Sequence, residues 1–152
     1  MKLSTKGRYA VVALVHLART QDSGVVSLGE IASSQQISSA YLEQLFLKLR
    51  KAGIVEAVRG PGGGYRLVKP SEDIQITQIL EAVDEPMKAV TVRSGLSGAS
   101  SGTREQSLAN RLWEGLSAVI YVHLHNHSLS DVVNNRMDPC PAVPALLNFV
   151  DE

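Results

Sequence analysis

Apolar residues recur at three- and four-residue steps between Ser4 and Thr20, where Tyr9, Val12, Ala13, His16 and Leu17 fall on one side of a predicted helix. Asp22-Ser23-Gly24 ends it, and Val25-Val26 reads as a short extended piece. Ser27 and Glu30 have the spacing of a capping box, in which hydroxyl and carboxylate satisfy the free amides at a helix start. That second helix is short, ends near Ser34 and turns through Gln35-Gln36-Ile37. A third begins at Ser38 or Ser39 and runs to Lys51. It places Leu42, Leu45, Phe46 and Leu49 on one face and Ala40, Glu43, Gln44, Leu47 and Lys51 on the other. Two short helices around a tight turn, the second polar on its outer side, form the helix-turn-helix pattern.

The next stretch makes that pattern more specific. Gly53 stops the third helix, Ile54 to Arg59 reads as a strand, Gly60-Pro61-Gly62-Gly63-Gly64 as a turn, and Tyr65 to Val68 as a returning strand. A glycine-rich hairpin directly after a recognition helix is the wing of a winged helix. These glycines do not form a nucleotide phosphate loop, since no Lys-Ser/Thr follows them and they join two strands rather than a strand and a helix.

A fourth helix is expected from Thr77 to Val83, with Ile76, Ile79, Leu80 and Val83 inward and Pro86 ending it. Seven of the ten residues from Ser94 to Thr103 are Ser or Gly, the composition of a flexible loop. A long helix follows from Arg104 to Asn126, roughly 33 Å at the standard rise. Its stripe of Leu108, Leu112, Leu116, Val119 and His123, widened by Trp113, Ile120 and Val122, exceeds what a small domain covers. The same helix of a second chain would cover it. Ser128 and Asp131 cap a last short helix ending at Asn134-Asn135. The predicted architecture is mostly α with a small β wing. It comprises a winged helix-turn-helix domain (1–85), a flexible sensor loop (86–103), a dimerisation helix with a short C-terminal helix (104–135) and an irregular tail (136–152).

The 152-residue chain has zero net charge, but its charge is unevenly placed. Residues 1–70 hold ten Lys/Arg against four acids, a net +6, and the remainder is −6. A basic N-terminal half points to a polyanion, and here to double-stranded DNA. Phosphate contacts are expected from Lys6, Arg8, Arg50 and Arg66. Ser38, Ser39, Ala40, Tyr41, Glu43 and Gln44 stand at the reading end of the third helix. Arg59 is expected at a minor groove, with Gly60 and Gly62 letting the backbone approach closely. The N-terminus lacks an apolar signal core, no stretch is long and apolar enough for a bilayer, and Cys140 is the single cysteine. These features suit a cytoplasmic protein.

Lys6-Gly7-Arg8-Tyr9-Ala10-Val11, Tyr41-Leu42-Glu43-Gln44-Leu45-Phe46 and Val58-Arg59-Gly60-Pro61-Gly62-Gly63-Gly64-Tyr65 together carry a family resemblance. The chain resembles the IscR-type iron–sulfur cluster regulators of the Rrf-two superfamily of winged-helix repressors, over about residues 1–135. The resemblance implies a homodimer reading a pseudo-palindromic promoter site, and a Glu43 that rejects sites lacking a suitable cytosine. It also implies a 2Fe-2S cluster held by three loop cysteines and a histidine just before the dimer-helix tryptophan. Here those four positions hold Val92, Ala99, Ser107 and Asn110, so every expected ligand is absent. Arg8 stands where some relatives place a carboxylate ligand on the first helix.

The remaining donors are Cys140, His123, His125 and His127, imidazoles and one thiolate of the kind that hold iron–sulfur clusters or zinc. On a helix His123 and His127 stand one turn apart, while His125 points away. The competing reading packs His123 in the dimer stripe and lets His125 and His127 cap the negative helix end. His16, among apolar neighbours, reads as packing. A hydrolase built on the three histidines lacks a paired base and a nucleophile motif, so no enzyme is expected. Two readings stay open beside the iron-responsive regulator: a metal-independent winged-helix repressor, and an adaptor without a cluster.

Overall fold

The computed structural model describes residues 3–20, 22, 24–87 and 103–137. Helix α1 spans Thr5–Thr20, α2 Leu28–Gln35 and α3 Ser39–Lys51. Strands β1 (Val55–Val58) and β2 (Gly64–Leu67) follow, then a 3-10 turn at Ser71–Asp73. Helices α4 (Ile76–Ala82), α5 (Arg104–His125) and α6 (Leu129–Val133) complete the order. Residues 88–102, most of the expected sensor loop (86–103), and 138–152, most of the expected tail (136–152), lie outside the described residues.

The core is formed where α1 crosses the helix-turn-helix and the wing. Leu42, Leu45, Phe46 and Leu49 of α3 are buried, as are Ile76, Ile79, Leu80 and Val83 around α4. The face of α1 differs from expectation. Ala10, Ala13, Leu14 and Leu17 are fully buried, whereas Val12 is exposed and His16 is half-buried, accepting a hydrogen bond from Gln35 Nε2 at Nδ1 (3.0 Å). Ala13 and Leu17 are buried as expected, and Ala10 and Leu14 complete the inward stripe at three- and four-residue steps, which turns Val12 to the solvent side.

Local chemistry sets the ends. Ser27 accepts from the Glu30 amide (3.2 Å) and Glu30 returns a bond to the Ser27 amide (2.7 Å), the expected capping box. Gln36 ends α2 in the left-handed region (φ 54). Thr103 with Gln106, and Ser128 with Asp131, cap α5 and α6 in the same way. The second of these was expected from the sequence and the first was not.

Helix α5 stands apart from this core. None of its residues is buried, and Leu112 and Val119 are 64% and 65% exposed. It is tied down mainly at its C-terminal end. There His125 Nδ1 shares a hydrogen bond with the buried Thr77 hydroxyl (3.2 Å), the Ile76 amide donates to His127 O (3.0 Å), and Leu129 packs into the core.

Candidate nucleic-acid interface

The interface is assembled from α3 and the hairpin behind it. With Leu42, Leu45, Phe46 and Leu49 turned inward, the helical period leaves Ser39, Ala40, Glu43, Gln44 and Leu47 exposed along the outer side of α3. Ser38 is the N-cap residue, exposed and making no side-chain cap bond, so its hydroxyl is available to a ligand. Tyr41 differs from its neighbours. It is half-buried, with its ring edge-on to Tyr9 (centroids 5.9 Å apart), and it joins the start of α3 to α1. Arg50 is exposed in the last turn, together with Lys51.

The wing is an antiparallel ladder pairing Val55 with Leu67 and Val58 with Gly64. At its tip the Gly63 amide donates to Gly60 O (2.9 Å) around Pro61 and Gly62. Proline followed by glycine at φ +75 is the residue order of a type II turn. Next to the tip, at the first residue of β2, Gly64 lies so close to the chain entering α2 that a Cβ there would meet the Val26 carbonyl carbon at 2.5 Å and the Ser27 nitrogen at 2.9 Å. Val26 and Tyr65 exchange two backbone hydrogen bonds (3.0 and 2.7 Å), and the Tyr65 ring packs edge-on to Phe46 of α3 (4.9 Å). The wing is thus fixed to the start of α2 and the middle of α3.

The expected cations divide into two groups. Arg8, Arg50 and Arg59 are exposed and form no ion pair among the described residues. Arg66 is occupied instead, its Nε donating to Glu56 directly across the hairpin. Lys6 is half-buried, and its Nζ donates to Asp84 O (2.7 Å). These two were expected at phosphates, and the structure engages both with the protein. Lys48, absent from the expected set, pairs with the Asp84 carboxylate (2.6 Å), which lies below its ordinary pKa because of that hydrogen bond and charge.

Glu85 is a further residue that the sequence did not single out. It is 4% exposed, and accepts from the Ser4 amide (2.9 Å) and the Ser4 hydroxyl at the start of α1. Burial pushes its carboxyl pKa up. The Ser4 bonds, the nearby Lys6 charge and the Gly7 amide outweigh that and hold it below the usual glutamate range.

The proposed metal donors do not converge as a set. His123 and His127 approach each other, with ring centroids 4.6 Å apart, and His127 Nδ1 donates to His123 O (2.6 Å), capping the helix end. His125 is separated from them. Helical phase turns it toward Thr77, with its ring stacked on Tyr121 (5.7 Å), so it neither joins a three-histidine cluster nor caps the helix. Among the described residues no three His, Cys, Asp or Glu side chains come together for a metal, and Ser107 and Asn110 are exposed on α5. The described residues therefore do not by themselves fit an iron–sulfur cluster. Cys140, Val92 and Ala99 lie outside them. Among the described residues, no helix is long and apolar enough to cross a membrane.

Comparison with known proteins agrees with this arrangement. The model of the Rrf2 family, described as iron-dependent transcriptional regulators, matches residues 3–135. The chain is 62% identical to the HTH-type transcriptional regulator IscR of Cereibacter sphaeroides, covering 100% of this chain and 99% of that protein. It is 43% identical to IscR of Escherichia coli over 90% of this chain and 82% of that one. Among solved structures, T. potens IscR superposes with a TM-score of 0.66 at 33% identity, covering 90% and 88% of the two chains. CymR, the global cysteine regulator of B. subtilis, gives 0.69 at 31% identity, covering 89% and 98%.

Proposed function

The chain belongs to the Rrf2 family of transcriptional regulators, and from that premise we propose that it is a cytoplasmic homodimer binding pseudo-palindromic promoter DNA. It is a DNA-binding transcription regulator, not an enzyme, of the kind that responds to iron, iron–sulfur or redox status. One observation carries the DNA reading: an exposed, polar α3 face stands beside Arg59, which forms no ion pair among the described residues, on a wing locked to the same helix. Helix α3 enters the major groove, where Ser38, Ser39, Ala40, Glu43 and Gln44 meet base edges. Arg59 borders the minor groove beyond, with Gly60 and Gly62 at the wing tip. Arg8 and Arg50 serve phosphates. The apolar side of α5 pairs with the α5 of a second copy, giving two recognition helices for two half-sites.

The sensing half of the reading rests on donors other than the usual four. Cys140 is the single thiolate, and His123 and His127 are the imidazoles that lie together. His125 is left out because its ring lies away from that pair, against Tyr121 and Thr77. The test is anaerobic reconstitution with iron and sulfide, followed by visible absorption and promoter binding at several salt concentrations. A coloured protein is expected, bleached by Cys140→Ala but not by His125→Ala. Its DNA affinity should differ from that of the colourless form and fall steeply with salt. A parent that stays colourless yet binds DNA is a metal-independent winged-helix repressor. A parent that binds no promoter sequence is the adaptor.

A further inference from the structure

Glu85 is the only buried carboxylate among the described residues, and it comes from a part of the chain 81 residues away from the serine it holds. Its two oxygens take the Ser4 amide and hydroxyl, and the Gly7 amide also points to it. It therefore supplies from outside the cap that the first turn of α1, which contains no acidic residue, cannot supply itself. Gly7 makes this possible, because a Cβ there would lie 2.9 Å from Glu85 Cγ. The preceding residue works alongside it. Asp84, in the left-handed region at φ 56, accepts Lys6 of α1 on its carbonyl and Lys48 of α3 on its carboxylate. One turn into α1, Tyr9 meets Tyr41 at the start of α3.

We propose that Glu85, through Gly7 and the first turn of α1, is a positioning residue that sets where Arg8 and the reading end of α3 stand for DNA. The inference rests on the DNA-binding reading above. A shift at the start of α1 reaches Ala40, Glu43 and Gln44 through the Tyr9–Tyr41 contact, without Glu85 touching DNA. Base reading depends on placement to a fraction of an ångström and phosphate attraction does not, so a displaced α1 costs specificity first.

The test measures binding of the full chain to its promoter site and to an unrelated duplex of equal length. It uses the parent, Gly7→Ala, Glu85→Ala and the double variant, each checked for helix content. Gly7→Ala is expected to lower the ratio of specific to non-specific affinity about tenfold, within the range of coupled neighbours. The double variant, whose shortened side chain makes room for the methyl, should lose clearly less than the product of the two single losses. If Gly7→Ala is unfolded, Glu85→Gln decides, with an expected fall of about threefold in the same ratio. An unchanged ratio, a parallel loss on both duplexes or simple multiplication of the single losses overturns the proposal. A parent without any preferred site overturns it together with the DNA-binding reading.

Discussion

Arg66 and Glu56 face each other across the hairpin and are joined through the guanidinium Nε, whereas Arg59, one residue beyond β1, has no such carboxylate among the described residues. One wing arginine is therefore held by the protein and the other is available to DNA. Arg59→Ala is expected to cost about 1–3 kcal/mol of binding, with the largest loss on sites with A/T-rich flanks. Arg66→Ala should cost clearly less and show no flank preference. Titrating both variants against A/T- and G/C-flanked versions of one site checks this. Equal losses for the two arginines would remove the distinction.

Glu43 is an exposed carboxylate on the outer side of α3, where phosphates surround any bound helix. Such a group is repelled unless it accepts from cytosine N4. Glu43→Ala is expected to enlarge the set of sequences bound, with about tenfold gains on sites the parent rejects. Selection from a random duplex pool reports this directly. Uniformly weaker binding with an unchanged consensus would show that the carboxylate does not discriminate.

With no buried residue, α5 obtains little stability from its own chain, and its apolar side offers Leu108, Leu112, Leu116 and Val119. Leu112→Glu is expected to give a monomer in sedimentation or light scattering. It should weaken binding to a two-half-site duplex by about two orders of magnitude, the loss of avidity. Binding to an isolated half-site should be nearly unaffected. A dimeric Leu112→Glu protein would place the interface elsewhere.

Acid stability follows from Glu85. Its carboxyl has a lower pKa folded than unfolded, so the unfolded chain binds the proton more tightly. Its contribution is complete above the ordinary glutamate pKa and is lost as pH falls through the folded value. Glu85→Gln is therefore expected to be about 1–3 kcal/mol less stable than the parent at neutral pH, with the gap closing in acid. Glu30, Asp84 and Asp131 are also lowered, by hydrogen bonds with Ser27, Lys48 and Ser128 respectively, so they add losses of the same sign. Urea unfolding of parent and variant at both pH values isolates the Glu85 share. A gap that stays constant with pH would assign the effect to shape rather than charge.

Elements whose signals are local were legible in the sequence. The Ser27–Glu30 box, the apolar rows of α3 and the Pro61-Gly62 turn each lie within a few residues, and each formed as expected. Features that depend on distant partners were not. The pairing of Arg66 required the register of the hairpin, and the loss of His125 from the histidine group required the phase of α5 against Thr77. The buried face of α1 was placed in part, with Ala13 and Leu17 buried as expected, but Ala10 and Leu14 rather than Val12 and His16 complete it. Glu85 left no local trace, since its partner Ser4 is at the other end of the winged domain. The exposed positions of α3 were found, but the periodicity could not separate Tyr41, which packs on Tyr9, from its solvent-facing neighbours.

The seating of Gly64 against Val26, with Tyr65 against Phe46, makes the molecule a gauge of fixed length. Any side chain at Gly64 would have backbone in its way, so the hairpin sits directly against the segment entering α2, and the aromatic contact joins it to α3. The placement of Arg59 relative to Glu43 is thus tied to these contacts within the protein. Duplex DNA advances about a tenth of a turn per base pair. One base pair inserted between the major-groove core and the flank would carry the minor groove out of register with Arg59. With Glu43 and Arg59 in the roles proposed above, targets are expected to be constrained in spacing as well as in sequence, and a single inserted base pair should weaken binding even where every recognised base is kept.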